Sequence, residues 1–510
     1  MEMLKIFENY GQLDNKFTKY KSLINFLKNI HFSDNEHFKL LKADGFANSN
    51  IINDGIDFFK KDYNFDLRMP ELQYKLFIPY IMEKLIVFAN KNKGEKLFIQ
   101  NNMSKVYNTF SHFNNFSKTT KDNFLKKLMF MLSYEQIYIQ ENNYIENMMR
   151  LIKLYKNVDK IDTITLKICE LPFQKLIFLH WVLFVFISRN KTTTLYFSIN
   201  DFIRFATNSD EFIISVEEVN NFLNYALITE EDFKKEYLKI RKKQSNDEYV
   251  DYDNLTYIDR YLPRISYWYP LLKVNNHMKL VSYTSLLQFM KFDKLYSLIY
   301  HTDYIKDFKS KIHGDSVTNY IKSYAKDKAL EANIYGDEKY YIGKDQHQAP
   351  DIIIEFDKYV LIIEAKSKPF NIIKALTEFD TYNFDKIKKD KEKSINNIKR
   401  YLEHENSFDE KKVYKFICYF FDHPSMISEM EDDRFDLDRI IITDIHSIES
   451  LLSIQNEEYS HVIDEFLIAR KKYNTSSLYH FCQTNYQIAN DSDLEFDCFI
   501  KTFMKPKKEN

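Results

Sequence analysis

The chain has 510 residues, of which 45% are apolar, and a formal net charge of −2. That length fits about two to four domains with room for more than one core, and the composition excludes a chain that stays disordered for want of apolar surface. Near-neutral charge removes global basicity as a reason to expect nucleic acid, so only local patches can serve.

Residues 1 to about 190 read as helical throughout. Leu4, Phe7 and Tyr10, then Phe17, Tyr20, Leu23 and Leu27, recur at steps of three and four. Met69-Pro70-Glu71 has the pattern of a helix start with Pro in the first turn. Further helices are expected over 120–138, 142–156 and 172–188. The most apolar run, Leu176 to Ile187, contains His180 and is shorter than the ~20 residues a membrane span needs, so it predicts a buried helix and no membrane partner. Four cysteines without CxxC spacing argue against a zinc site or a disulfide framework and fit a reducing cytoplasm.

Between 195 and 243, Ser198 with Asp201 and Ser215 with Glu218 mark two capped helix starts. Such a pair fits a helix-turn-helix or winged-helix reader, but two ordinary bundle helices are the expectation. The basic run Lys234 to Lys242 reads as one solvated helix face. Residues 244–255 are polar and acidic and make the best linker. The expected domains are a helical N-terminal region at 1–245, a helical connector at 256–302, a sheet-centred unit at 303–455 and a helical tail at 456–510. The N-terminal region would select substrate, hold a partner protein or mediate a homodimer.

From about 330 the period changes from helical to strand-like. Ala332 to Tyr335 and Lys339 to Ile342 flank Gly336. Two β-branched runs, Ile352 to Glu355 and Tyr359 to Glu364, flank Asp357-Lys358 as a hairpin. Any symmetric hairpin centred there opposes Ile353 to Ile362 and Asp351 to Glu364. A helix is expected over 384–404, with Ile395, Ile398 and Leu402 on one face and Lys388, Lys389, Lys391, Lys393, Lys399 and Arg400 on or beside it. Buried strands at Val413 to Phe421 and Ile440 to Asp444, a short helix and a helical tail complete the order. Helices and strands thus mix in one α/β unit.

The hairpin carries the chemistry. Asp351 and Glu364 would lie roughly 5 Å apart across the ladder, where like charges destabilise, and Lys366 shares the face by period 2. A divalent cation removes the conflict. Mg²⁺ takes oxygen ligands, usually one or two carboxylates with water and substrate phosphate. An adjacent ammonium adds electrostatic stabilisation, so the set suits metal-assisted phosphodiester hydrolysis. Without metal, Glu364 should titrate high because of Asp351, with Lys366 offsetting part of the shift.

Pro350-Asp351 and Glu364-Ala365-Lys366, with the helix and strands around them, resemble the PD-(D/E)XK nuclease superfamily, the restriction-endonuclease-like fold. The resemblance covers roughly 303–455. The tripeptide alone is not specific. Asp232-Phe233-Lys234, Asp307-Phe308-Lys309, Asp337-Glu338-Lys339 and Glu410-Lys411-Lys412 share its pattern, but none ends an apolar β-run with a facing acid. The resemblance implies Mg²⁺ (or Mn²⁺) held by Asp351, Glu364 and the Ala365 carbonyl. Asp351, Glu364 and Lys366 would be the catalytic set, and nucleic acid, chiefly double-stranded DNA, the substrate. Family members often add a helix acid after a Gly-x-x-apolar pattern. Gly314-Asp315-Ser316-Val317 fits that pattern but is followed by Thr318, leaving Asp315 or Glu331 to substitute.

The expectation is a DNA endonuclease of restriction or antiphage defence. A non-cleaving nucleic-acid or partner-binding protein and a repair or recombination nuclease are the alternatives. His347 is expected in a loop. The lysine face of 386–400 is a candidate phosphate surface, with solvated charge as the default.

Overall fold

The computed structural model describes residues 25–48, 61, 71–89, 97–98, 144–156, 158, 161–190, 194–207, 212–245, 264–291, 294–295, 298, 313–367, 385–405, 408–420, 440–473, 477–489 and 492–504. The helix expected at 120–138, the linker beyond Ser245 and almost all of the first periodic segment lie outside them.

The N-terminal part is built from helices α1 (Asp34–Asn48), α2 (Glu71–Phe88), α3 (Tyr144–Tyr155), α4 (Ile161–Cys169) and α5 (Phe173–Asn190), with two-residue strands β1 (Ile30–His31) and β2 (Leu97–Phe98). Helix α5 is the expected buried helix: Leu176, Ile177, Leu179, Val182 and Leu183 are fully buried. His180 stacks on Phe289 at 4.5 Å, and burial pushes its imidazole down to about 3, so it is a neutral core residue. Among the described residues no single helix is long and apolar enough to cross a membrane.

Next come β3 (Tyr196–Ser198), α6 (Ile199–Ala206), α7 (Val216–Ala226), β4 (Leu227–Thr229), α8 (Glu230–Ser245), α9 (Ile265–Trp268), β5 (Leu271–Val274), β6 (His277–Leu280) and α10 (Tyr283–Phe289). Both expected caps form. Ser198 Oγ accepts from the Asp201 amide at 3.2 Å, and Ser215 with Glu218 closes a capping box. These elements are not a plain bundle. Strands order β3-β6-β5-β4, with β3 and β5 each antiparallel to β6. Helices α6 and α7 lie in the chain between β3 and the β5–β6 hairpin, with β4, α8 and α9 inserted between them and that hairpin. The stretch expected as a helical connector, 256–302, therefore contributes two strands. They were hard to read because each is four residues long. Among the described side chains of the basic run on α8, Lys234, Lys235 and Lys239 pair within the helix with Glu230, Glu231 and Glu236, as a solvated face would.

The C-terminal part starts with α11 (His313–Lys328) and strands β7 (Asn333–Tyr335), β8 (Lys339–Ile342), β9 (Asp345–Gln348), β10 (Ile352–Glu355) and β11 (Tyr359–Lys366). It continues with α12 (Asp385–His404), β12 (Lys412–Tyr419), β13 (Ile440–Asp444), α13 (Ile445–Leu452), α14 (Tyr459–Tyr473), α15 (Leu478–Asn485) and α16 (Ser492–Lys501). A five-stranded mixed sheet has the order β13-β12-β11-β10-β7. The hairpin register is the expected one, Ile353 opposite Ile362, while β11–β12 and β12–β13 are parallel.

Central strand β11 is buried on both faces, which explains its nearly continuous apolar sequence. Ile352, Ile354, Leu361 and Ile363 join a core with Val317, Tyr320 and Ile321 of α11. Ile353, Val360 and Ile362 pack instead with Ile398 and Tyr401 of α12. Strands β8 and β9 form a separate two-stranded ribbon. His347 therefore sits in a strand, not a loop.

The helical and sheet parts are tied by Arg150 on α3, whose Nε donates to Glu449 of α13 at 2.7 Å. The Tyr320 hydroxyl donates to the same carboxylate at 2.6 Å. Burial alone would raise the Glu449 carboxyl, but the Arg150 charge and hydrogen bonds, with His446 and Tyr320, outweigh it and hold the pKa low. The chain end also returns to the N-terminal part, where the Ile213 amide donates to the Phe503 carbonyl at 2.8 Å.

Candidate active site

Asp351 is placed by the turn before it and the strand beside it. Gly336 has φ +119°, and a Cβ there would come within 2.7 Å of the Pro350 carbonyl, so only glycine lets β7 leave the sheet at that point. The Asp337 amide donates to the same carbonyl at 2.8 Å, fixing the residue before the acid. Asp351 lies just past the end of β10, and its Oδ2 accepts the Ala365 amide at 2.7 Å. The carboxylate thus extends the ladder where the backbone stops pairing.

Continuing the register one step beyond Ile352 and Ile363 brings Asp351 opposite Glu364. Glu364 is only 6% exposed. Its Oε2 accepts from Lys366 Nζ at 3.1 Å and its Oε1 from Asn397 Nδ2 of α12 at 2.7 Å. Asp351, Glu364, Ala365 and Lys366 all line one open cleft of about 650 Å³, walled on the far side by Lys389, Glu392, Lys393, Asn396, Asn397 and Arg400 of α12.

Burial and then the Glu364 charge push the Asp351 carboxyl up to about 7, against Lys366 and the Ala365 amide. The two acids differ in their donors: each Glu364 oxygen accepts a side-chain hydrogen bond, whereas Asp351 accepts the Ala365 amide on Oδ2.

Among the described residues no group of three or more His, Cys, Asp or Glu forms a cage that could hold a metal by itself. The set present fits a hard cation that keeps water and substrate oxygens. Two carboxylates of like charge converge, one of them disfavoured as an anion, beside a cleft open to solvent. Asp351 and Glu364 would hold such an ion with the Ala365 carbonyl.

The structure does not bring the two helix-acid substitutes into the cleft. Asp315 is exposed on the first turn of α11. That turn reaches the site end of β11, with Ser367 Oγ 3.8 Å from where a Gly314 Cβ would lie, yet Asp315 does not line the cleft. Glu331 acts on Tyr359, at the other end of β11, and is remote from Glu364.

Gln348, Ala349, Glu392, Asn396 and Asn397 line the cleft without having been expected from the sequence. A signal existed. Lys389, Lys393, Asn396 or Asn397, and Arg400 recur at steps of three and four beside the Ile395, Ile398 and Leu402 stripe, marking a polar edge of α12 that faces the sheet end. Lys389, Lys393 and Arg400 line the cleft, whereas Lys399 is exposed beside Glu403 and Lys391 is buried. Among the described residues, the exposed edge of α7 carries Val216, Glu217, Asn220 and Asn224 and offers no cation.

No family model matches this chain, and no curated protein matches its sequence.

Proposed function

We propose that this chain is a metal-dependent nuclease of the PD-(D/E)XK kind, with residues 303–455 as its restriction-endonuclease-like domain, and that it cuts duplex DNA as an endonuclease in restriction or antiphage defence. The observation that carries the reading is the meeting of Asp351 and Glu364 at the end of a mixed sheet, with Lys366 at 3.1 Å from Glu364, in a cleft walled by three cations.

Bound Mg²⁺ or Mn²⁺ would supply Lewis-acid stabilisation of charge on the scissile phosphate. Asp351 and Glu364 provide the negative oxygen pair that concentrates the ion. Asn397 orients Glu364 from across the cleft. Lys366 stands next to the pair as a fixed positive charge for the developing phosphorane. Lys389, Lys393 and Arg400 offer phosphate contacts on the opposite wall. Defence as the setting rests on the combination of a helical N-terminal region and a nuclease-like unit, an analogy at fold level. The N-terminal part would then select substrate, dimerise or receive a partner.

A plasmid-cleavage assay with Mg²⁺ and with EDTA tests the reading. The wild type should cut only with metal, and Asp351→Ala and Lys366→Ala should each lose at least about a hundredfold in rate. Equal cutting by variants and wild type would sink the site assignment. DNA binding without cutting under any divalent metal would favour a non-cleaving binding protein instead.

A further inference from the structure

The β8–β9 ribbon is not used by the chemistry above, yet it adjoins the cleft. Its register pairs Tyr340 with His347, Tyr341 with Gln346, and Lys339 with Gln348. Side chains alternate between the two faces. On the inner face, Tyr340 stacks on His404 at 4.9 Å and meets Tyr401 edge-on at 5.4 Å. His347 lies against Tyr340 and within 3.3 Å of an Arg400 donor nitrogen. These rings clamp to α12 a two-stranded ribbon that would be marginal alone in water.

The outer face carries Lys339, Tyr341 and Gln346, with Gln348 opposite Lys339 at its base. Tyr341 is 59% exposed, and Gln346 Nε2 donates to its hydroxyl at 3.0 Å, so the pair is held in order while facing solvent. A Cβ on Gly343, at the tip, would meet nothing within 4 Å. At the base, Gln348 lines the cleft, and only Ala349 and Pro350 separate it from Asp351.

We propose that the outer face of this ribbon reads the major groove of duplex DNA whose backbone lies in the Asp351–Glu364 cleft, making Lys339, Tyr341 and Gln346 specificity-determining residues. This rests on the nuclease reading for the cleft. Four residues per strand span about 13 Å, and the B-DNA major groove, about 12 Å wide, admits a two-stranded ribbon. Lysine suits guanine edges and glutamine suits adenine. The ribbon itself is not basic: Asp337, Glu338 and Asp345 accompany Lys339 and Lys344. Asp337 accepts from Gln348 at the base, and Asp345 alternates to the inner side with Ile342. The phosphate attraction comes instead from Lys366, Lys389, Lys393 and Arg400 in the cleft. Backbone positioning and base reading are thus divided between α12 and the ribbon. The deep, narrow major groove of duplex RNA would not admit the ribbon.

The test uses the full-length protein and a pool of random-sequence 30-bp duplexes, with Ca²⁺ replacing Mg²⁺ so that binding is read without cutting. Tyr341→Ala/Gln346→Ala should weaken binding of the duplexes preferred by the wild type roughly tenfold and change which sequences are retained. Lys389→Ala/Lys393→Ala should weaken all sequences alike and flatten the salt dependence. Circular dichroism and melting temperature check the fold, and Tyr341→Phe/Gln346→Asn serves as a milder second variant. Unchanged affinity together with unchanged preference overturns the proposal, as does an effect confined to RNA duplexes or single strands. Cleavage with Mg²⁺ or Mn²⁺ is scored separately. A wild type that never cuts removes the nuclease reading, whereas the ribbon stands or falls on the binding result.

Discussion

Asn397 donates its side-chain amide to Oε1 of Glu364 at 2.7 Å, tying helix α12 to the central strand across the cleft. With Lys366 on Oε2, the bond fixes the orientation of the Glu364 carboxylate. Groups that orient a ligating carboxylate are commonly worth 10- to 100-fold in metal affinity or activity. On the proposed nuclease function, Asn397→Ala should therefore raise the Mg²⁺ concentration needed for half-maximal cleavage by about tenfold or more, with little change in melting temperature. A Mg²⁺ titration of cleavage rate checks it. An unchanged midpoint would show that Lys366 alone orients Glu364.

The raised Asp351 pKa has a definite sign. In the unfolded chain the carboxyl is ionised above its ordinary value near 4. In the fold, burial and the Glu364 charge hold it protonated up to about 7. The metal-free fold therefore draws stability from this group that is fully present below pH 4 and is lost as pH rises through about 7. A divalent cation competes for the same carboxylate, so its apparent affinity should fall about tenfold per pH unit below 7. Mg²⁺ should raise the melting temperature more at pH 8 than at pH 6. Thermal shift at both pH values, repeated with Asp351→Asn, measures it. An equal Mg²⁺ shift at the two pH values would place the ion elsewhere.

Arg150 and Glu449 make a different case, since both are largely buried and join the two halves of the chain. Truncating one partner strands the other charge, which costs about 3–5 kcal/mol, whereas replacing both with apolar groups is often neutral. Arg150→Ala should destabilise strongly in a denaturant titration. Arg150→Met/Glu449→Leu should recover much of that loss. A small loss for Arg150→Ala alone would mean that water already reaches the pair.

What was legible in the sequence followed a simple division. The hairpin register is legible because a symmetric turn at Asp357-Lys358 fixes which residues oppose, and the two caps at Ser198 and Ser215 are local chemistry. Strand β8 is legible as the strand-like run Lys339 to Ile342, but its partner β9 is not, because it carries Asp, Gln, His and Gln where apolar alternation would otherwise mark a strand. The β5–β6 pair is not legible because each strand is only four residues long. For the site, Asp351, Glu364 and Lys366 could be placed because one hairpin holds them. Asn397 could not, because it comes from a helix whose approach to Glu364 depends on how α12 crosses the sheet.

Gly336 offers a test of how tightly the first acid is positioned. Its φ of +119° is one that side-chain-bearing residues rarely adopt, and the Cβ of an alanine would lie 2.7 Å from the Pro350 carbonyl and 3.0 Å from the Asp351 carbonyl. Both obstacles are backbone, so relief requires moving the Pro350–Asp351 segment itself. That movement would lengthen the bond between Asp351 and the Ala365 amide and pull the carboxylate away from Glu364. Gly336→Ala should cost about 1–3 kcal/mol of stability and reduce cleavage more than the small loss of folded protein explains. Measuring cleavage per folded molecule well below the melting transition separates the two effects. Full activity in the folded fraction would mean that Asp351 is placed by the Ala365 amide and not by the turn before it.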